Sequence, residues 1–121
     1  MDKAQAIHSF WSGFGVPAYD QNTVPQNAQM PYITYSVATN AINRLTVLSA
    51  SLWYHSTSWE NITKKTEEIA AEIGSGYALK KLDNGYLYIT QGTPFAQRMS
   101  DEDSSIRRMY IVCNAEFLTA Y

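Results

Sequence analysis

The sequence is poor in the residues that most often carry chemistry. Its 121 residues include one cysteine and two histidines. The single cysteine, Cys113, excludes an intrachain disulfide. His8 and His55 stand in no metal-ligand spacing, and the chain contains neither a phosphate-binding glycine-rich loop nor a Gly-x-Ser-x-Gly nucleophile elbow. These absences predict a protein that is not an enzyme and that holds no cofactor and no metal; the alternative is an enzyme whose site leaves no pattern in the sequence.

Long apolar runs and a strong net charge are missing as well. No stretch reaches the roughly 18 apolar residues of a membrane span, and the first residues lack the basic start and apolar run of a signal peptide. Nine basic and eleven acidic residues give a formal net charge of −2, which provides no global field to hold a polyanion. We therefore expect a soluble protein with no membrane partner and no direct sequence-specific nucleic-acid binding. The length fits a single domain over residues 1–121.

Two segments carry the periodicity of amphipathic helices. The first is predicted over residues 3–14, with Asp2 as its N-cap. The second is predicted from Thr57 to Ile73, because Thr57 and Glu60 have the spacing of a capping box. Its narrow apolar stripe predicts packing on a sheet, with a coiled-coil seam as the alternative. The stripe consists of Trp59, Ile62, Thr66, Ile69 and Ile73.

The remaining sequence alternates between polar loops and strand patterns. Asn84-Gly85 between two alternating segments is a strong hairpin signal, because both central residues of a type I′ turn need positive φ. Cys113 falls on the apolar face of the last strand, so we expect a small core residue there and not a reactive thiol. The predicted segments are a polar loop at 18–30, a strand at 31–37, a turn at 40–43, a strand at 44–55, hairpin strands at 77–82 and 86–90, a loop at 92–105 and a strand at 106–117.

This order predicts an α+β fold, in which a mostly antiparallel sheet of about four to five strands has two helices packed on one side. The sheet and second helix form a core over residues 31–121. The strand at 44–55 is apolar on both faces, so we expect a helix to cover part of it and a neighbouring subunit another part.

The loop at 92–105 and the two-sided strand are the candidate contact surfaces. Exposed loops commonly carry function, and interfaces favour aromatic side chains. Arg98 or Arg108 can pair with an acid on another subunit, because a guanidinium matches a carboxylate. The acids at 101–103 lack the spacing of an EF-hand, so a solvated loop is expected there and not a cation site. The predicted protein–protein interface residues are Trp53, Tyr54, Phe95, Gln97, Arg98, Met99, Asp101, Glu102, Asp103 and Arg108.

Four motifs resemble those of a known group of proteins. They are Ser58-Trp59-Glu60 at a helix start, the hairpin segment at 83–89, the stretch 92–99 leading to Ile106-Arg107-Arg108, and the strand at 31–35. From about Pro31 onward the chain resembles small tail-completion (head–tail joining) proteins of tailed bacteriophages and prophages. It is most similar to the tail terminator type of long non-contractile-tailed phages.

The resemblance implies a structural protein of the virion that acts through its surfaces. Such a subunit is expected to form a homo-oligomeric ring, a hexamer, that caps the tail tube, stops its growth and presents its other face to the neck. Its partners would be itself, the tail tube protein and a neck or head-completion protein. It would be made in the host cytoplasm and reside at the head–tail junction. The alternatives are a head-closure or head–tail connector protein, which also forms rings, and a monomeric protein-binding adaptor or inhibitor-type domain.

Overall fold

A computed structural model describes residues 2–36, 45–74 and 77–119 of the protein. The elements follow one another as two helices and six strands within these ranges. They are α1 (Lys3–Ser12), β1 (Ala18–Asp20), β2 (Tyr32–Tyr35), β3 (Leu45–His55), α2 (Glu60–Ile73), β4 (Tyr77–Leu82), β5 (Gly85–Met99) and β6 (Ile106–Thr119).

The strands form one sheet in the order β1-β2-β3-β6-β5-β4. The β1–β2 pair is parallel and the other pairs are antiparallel. The expected α+β class is confirmed, but the described sheet has one strand more than predicted and is mixed. The additional strand, β1, lies inside the segment predicted as a polar loop. Ala18 lies opposite Ile33, and a pairing three residues long leaves no periodic signal in the sequence.

The sheet is curled around the two helices. α1 contacts β1 and β2 at one edge of the sheet and also β4 at the opposite edge, whereas α2 contacts β3, β4, β5 and β6. Both edges reach the same helix because the sheet bends toward it. The side chains between the helices and the sheet are fully buried, and the largest of them include Trp11, Phe10, Phe117, Ile33, Leu52, Ile69 and Leu87.

The start of α1 is confirmed in detail. Asp2 is the N-cap: its carboxylate accepts the backbone N–H of Gln5 at 2.8 Å, and the side chain of Gln5 accepts the N–H of Asp2 at 2.9 Å. This reciprocal pair satisfies two of the N–H groups that a helix start leaves free. The helix ends at Ser12, earlier than the predicted residue 14, although Phe14 is still buried.

The predicted capping box of α2 is wrong. The helix begins at Glu60 and its N-cap residue, Trp59, makes no side-chain cap. The hydroxyl of Ser58 accepts the N–H of Glu60 at 3.1 Å instead, and the carbonyl of Thr57 accepts a hydrogen bond from Arg107 at 2.7 Å. Thr57 thus belongs to the turn that precedes the helix. Four members of the predicted apolar stripe, Ile62, Thr66, Ile69 and Ile73, are buried as expected, whereas Trp59 precedes the helix and is only partly buried.

The predicted loop at 92–105 is also wrong over its first half. The hairpin with its turn at Asp83-Asn84 is confirmed, but β5 continues to Met99, so that only residues 100–105 form a loop. Between the pairs Gln91–Cys113 and Ala96–Ile111 the register shifts, and the residues of this bulge lie opposite the single β6 residue Val112. The strand resumes after the bulge because β6 offers it a partner, which the polar composition of the segment conceals.

The alternation predicted for β6 is confirmed. Met109, Ile111, Cys113, Ala115 and Phe117 are buried. On β3 the two apolar faces are unequal: Leu48 and Leu52 are buried, whereas Val47 is 51% exposed. The predicted end of the first strand at Val37 and the predicted turn at 40–43 lie outside the described residues.

Candidate functional site

One face of the sheet is turned away from both helices. Leu52 and Met109 point toward the helices, so their neighbours Trp53 and Arg108 point to the opposite face, which we call the outer face. No helix among residues 2–36, 45–74 and 77–119 packs on it. An aromatic surface on an uncovered sheet face is the strongest candidate for a contact site in this molecule.

The register brings four side chains of the outer face into one line across four strands. Tyr32 lies opposite Trp53, Trp53 opposite Arg108, and Arg108 opposite Met99. Directly opposed residues of antiparallel strands are close enough for their side chains to touch. The ring of Tyr19 on β1 extends the line, with its centroid 5.9 Å from that of Tyr32 in an edge-to-face arrangement. These five residues are the aromatic row.

Hydrogen bonds and stacking hold the centre of the aromatic row in place. The indole N–H of Trp53 donates to Thr34 Oγ1 at 2.9 Å, and Arg108 Nε donates to Ser51 Oγ at 3.0 Å. The Arg108 guanidinium lies over the Trp53 ring, 4.8 Å from its centroid, within the range of a cation–π contact. The row is therefore a fixed surface that loses little side-chain freedom when a partner binds.

A second cluster surrounds Trp59 on the helix side of the sheet. The guanidinium groups of Arg98 and Arg107 lie 4.7 and 5.3 Å from the centroid of its ring. Arg107 also donates to the carbonyl oxygens of Thr57 at 2.7 Å and Ser104 at 2.9 Å. These contacts tie the start of α2 to the end of the loop at 100–105, so the cluster explains how the loop is attached to the body of the protein.

The loop at 100–105, the acidic loop, presents three exposed acids. Asp101 Oδ1 accepts the N–H of Asp103 at 3.0 Å, and Asp103 Oδ1 accepts both the hydroxyl of Ser105 at 2.6 Å and its N–H at 2.8 Å. The hydrogen bonds from Ser105 hold the pKa of Asp103 below its usual value, so this carboxylate is charged at neutral pH. In the described part of the chain no group of three His, Cys, Asp or Glu side chains is placed to hold a metal ion.

The acidic loop also contains a serine near a histidine. Ser105 Oγ lies 3.2 Å from His55 Nε2, while the same hydroxyl donates to Asp103 at 2.6 Å. In a catalytic triad the histidine stands between the serine and the acid and takes the serine's proton. Here the serine stands between the other two and its proton is directed at the acid, so the arrangement does not generate a nucleophile.

Ionisation is also perturbed at Cys113 and Tyr54. Burial raises the pKa of the Cys113 thiol to about 12. Burial also raises the pKa of Tyr54, with Glu68 adding to the effect and Lys65 opposing it. Both side chains lie on the helix side of the sheet and remain protonated at neutral pH. The expectation of a core cysteine is thus confirmed.

The ten residues predicted for an interface do not form one site. Trp53, Gln97, Met99 and Arg108 share the outer face, and the three acids at 101–103 share the acidic loop. Arg98 stacks on Trp59, and Phe95 and Tyr54 pack against the core. Two members of the aromatic row, Tyr19 and Tyr32, were not predicted. Tyr32 was detectable as the neighbour of an inward-facing isoleucine, whereas Tyr19 lay in the segment predicted as a loop.

Comparison with known proteins gives a likeness of fold and no match of sequence. No protein-family model matches the chain, and no curated protein matches it. Among solved structures, the chain is similar to one in the virion of a native gene transfer agent particle, with a TM-score of 0.62, over 96% of this chain and 94% of that chain, at 14% identity. The two chains therefore share a fold over almost their whole lengths. In the described residues, no helix is long and apolar enough to cross a membrane.

Proposed function

We propose that the protein is a structural subunit of a tailed, phage-like virion. The observation that carries this proposal is the shared fold with a chain of a gene transfer agent virion, which extends over nearly all of both chains. A fold alone hosts many functions, so the surfaces supply the second support. The aromatic row is a rigid surface of the kind that protein interfaces use, and a net charge of −2 suits a subunit whose partners are proteins.

Within the virion, the function we propose is that of a tail terminator. Copies of the chain would form a ring, a hexamer, that caps the finished tail tube, stops its growth and provides the attachment surface for the neck. The motifs around Trp59, Asn84 and Arg107 that resemble tail-completion proteins support this choice over other virion roles. The role requires binding and no catalysis. A ring arises when a head-to-tail contact between copies closes by rotation.

Electron microscopy of particles made without the protein tests the proposal. A terminator predicts tails that are overlong or lack heads, because nothing stops tube growth or joins the neck. Full heads that leak DNA, beside tails of normal length, would assign the protein to head closure instead. Normal, infectious particles would contradict both roles and favour a monomeric adaptor.

A measurement of mass in solution provides an independent test. The purified chain is expected either to form rings or to remain monomeric until tail tubes are added and then to bind their ends as a ring. Tubes purified from particles that lack the protein are the matched reagent. A chain that stays monomeric with and without tubes would contradict the terminator role.

A further inference from the structure

We propose that the outer face of one copy receives the acidic loop of the next copy, with Arg108 pairing with Glu102. This inference rests on the proposed function, because it names the surfaces that join neighbouring subunits of the ring. It connects the aromatic row with the acidic loop, which joins the two strands that carry Met99 and Arg108.

The Arg108 guanidinium has donors for a carboxylate, and residues 2–36, 45–74 and 77–119 of its own chain place none there. Its Nε is bonded to Ser51, so the donors of its two terminal nitrogens remain, and no acceptor for them is found among residues 2–36, 45–74 and 77–119. The contact with the Trp53 ring and the bond to Ser51 hold the guanidinium in position. A fixed guanidinium with free terminal N–H groups is the geometry that binds a carboxylate with two parallel hydrogen bonds.

The acidic loop carries the complementary charge. Its three carboxylates are exposed, and the ion pairs found within the described ranges lie on α2. The cationic side chains nearest in sequence, Arg98 and Arg107, are engaged with the ring of Trp59, and the second of them also with backbone carbonyls. The two aspartates of the loop accept hydrogen bonds from its own backbone. Glu102 is the acid that accepts none of these bonds, so its carboxylate is available to a partner.

The chemistry of the outer face favours a protein segment over a nucleic acid. A phosphate backbone is held by several cations spaced along a groove, whereas the aromatic row contains a single arginine among aromatic and thioether side chains. A short run of acids between serines, as in the loop at 100–105, offers a carboxylate to one arginine beside a flat aromatic surface.

A ring requires the head-to-tail form of this contact, in which Arg108 of one copy meets Glu102 of the next and the reverse pair does not form between the same two copies; a reciprocal pair would close a two-fold dimer instead. The head-to-tail contact repeats from copy to copy and closes into a ring when the rotation allows it. In the closed ring, the acidic loop of each subunit lies on the aromatic row of one neighbour, and its own row is covered by the loop of the other neighbour. No row remains exposed.

Two charge reversals test the pairing. Arg108→Glu places like charges at the contact, and so does Glu102→Arg; each variant alone is expected to raise the concentration needed for half-assembly about ten-fold or more. An equal mixture of the two variants is expected to assemble as well as the wild type. In an alternating ring the introduced glutamate of one variant meets the introduced arginine of the other, and at the next contact the unchanged Arg108 meets the unchanged Glu102.

Lys64→Glu is the control for these variants. It makes the same change of charge as Arg108→Glu, but on the exposed side of α2, and is expected to leave assembly unchanged. Assembly is measured by sedimentation with and without tail tubes, and circular dichroism checks that each variant is folded.

Three results would count against the proposals, and they are distinguishable. Rings of wild type together with undisturbed assembly of either single variant would overturn the pairing and leave the terminator role intact. Disrupted single variants that do not recover on mixing would overturn the pairing as well. A wild type that forms no ring even on tubes would contradict the proposed function itself.

Discussion

Gly92 is a position where the structure predicts that even a methyl group would destabilise the fold. It lies at the start of the β5 bulge, buried against Val112 of the adjacent strand β6. A Cβ atom at this position would lie 2.6 Å from the carbonyl oxygen of Val112, 2.8 Å from its Cγ1 and 3.0 Å from its carbonyl carbon. Only a residue without a side chain allows the two backbones to approach this closely.

Gly92→Ala is therefore expected to destabilise the fold. Two of the three contacts are with backbone atoms of β6, a strand paired on both sides, so the strain cannot be relieved by a change of rotamer. Overpacking in a well-packed interior costs about 1–3 kcal/mol, and the rigid backbone places this case at about 3 kcal/mol. For a domain of this size, that corresponds to a fall in Tm on the order of 10 °C.

Denaturation in urea, followed by tryptophan fluorescence, measures the change in the free energy of unfolding. Gly13→Ala is the matched control. A Cβ there meets Phe10 O at 3.4 Å and Ser9 O at 3.5 Å, which are ordinary contacts, and the backbone at Gly13 has φ −80° and ψ 4°, which alanine adopts freely. The control variant is expected to be as stable as the wild type or more stable by about 0.5 kcal/mol.

The double variant Gly92→Ala, Val112→Ala separates the two parts of the clash. Removing the valine methyl groups relieves the contact with Cγ1 but leaves the contact with the carbonyl oxygen, so only part of the stability should return. A Gly92→Ala protein within about 0.5 kcal/mol of the wild type, with an unchanged m-value, would refute the reasoning, since the method resolves a loss of about 3 kcal/mol.

Further predictions concern the buried thiol and a lysine between α2 and α1. The pKa of Cys113 is raised to about 12 from an ordinary 9.0; the unfolded chain therefore releases this proton first, and stability should fall by about 1.4 kcal/mol per pH unit as pH rises above about 9. Urea titrations of wild type and Cys113→Ala between about pH 8 and 10.5 isolate this effect, and parallel pH profiles would contradict it. The same thiol should react with a thiol reagent at about pH 8 only at the rate at which the protein opens. Lys65 donates to the carbonyl of Phe14 at 2.7 Å, so Lys65→Met should cost about 1–2 kcal/mol in urea denaturation. Lys64→Met, which removes only an exposed ion pair, should cost less than about 0.5 kcal/mol; equal losses would contradict this assignment.

Elements with strong local patterns were predictable from the sequence. The alternation along β6, the hairpin around Asn84 and the Asp2 cap each depend on residues close together in the chain, and all three are confirmed, although the two turn residues are Asp83 and Asn84 and Gly85 already belongs to β5. β1 and the second half of β5 depend on a partner strand: β1 pairs with residues 15 positions away, and β5 resumes after its bulge because β6 lies beside it.

The candidate site was predictable only in pieces. Trp53, Met99 and Arg108 were each named as contact residues, but their alignment depends on the register of β3 and β5 on β6. On the β3 side that register joins Trp53 to Arg108, 55 positions away, and leaves no local signal. The stacking of Arg98 and Arg107 on Trp59 was likewise hidden, because it depends on where the start of α2 lies above the sheet.

The position of β6 in the sheet has a consequence for the timing of subunit maturation. β6 joins two parts of the sheet, β1-β2-β3 on one side and β5-β4 on the other. During synthesis the earlier strands emerge without the strand that links them, and the pairing of β3 with β6 closes a long stretch of chain, which is slow. Because β6 also supplies Arg108, the aromatic row cannot exist before this strand is in place. A nascent or incompletely folded subunit would then lack the aromatic row, so that the ring proposed above would admit only copies whose sheet is complete.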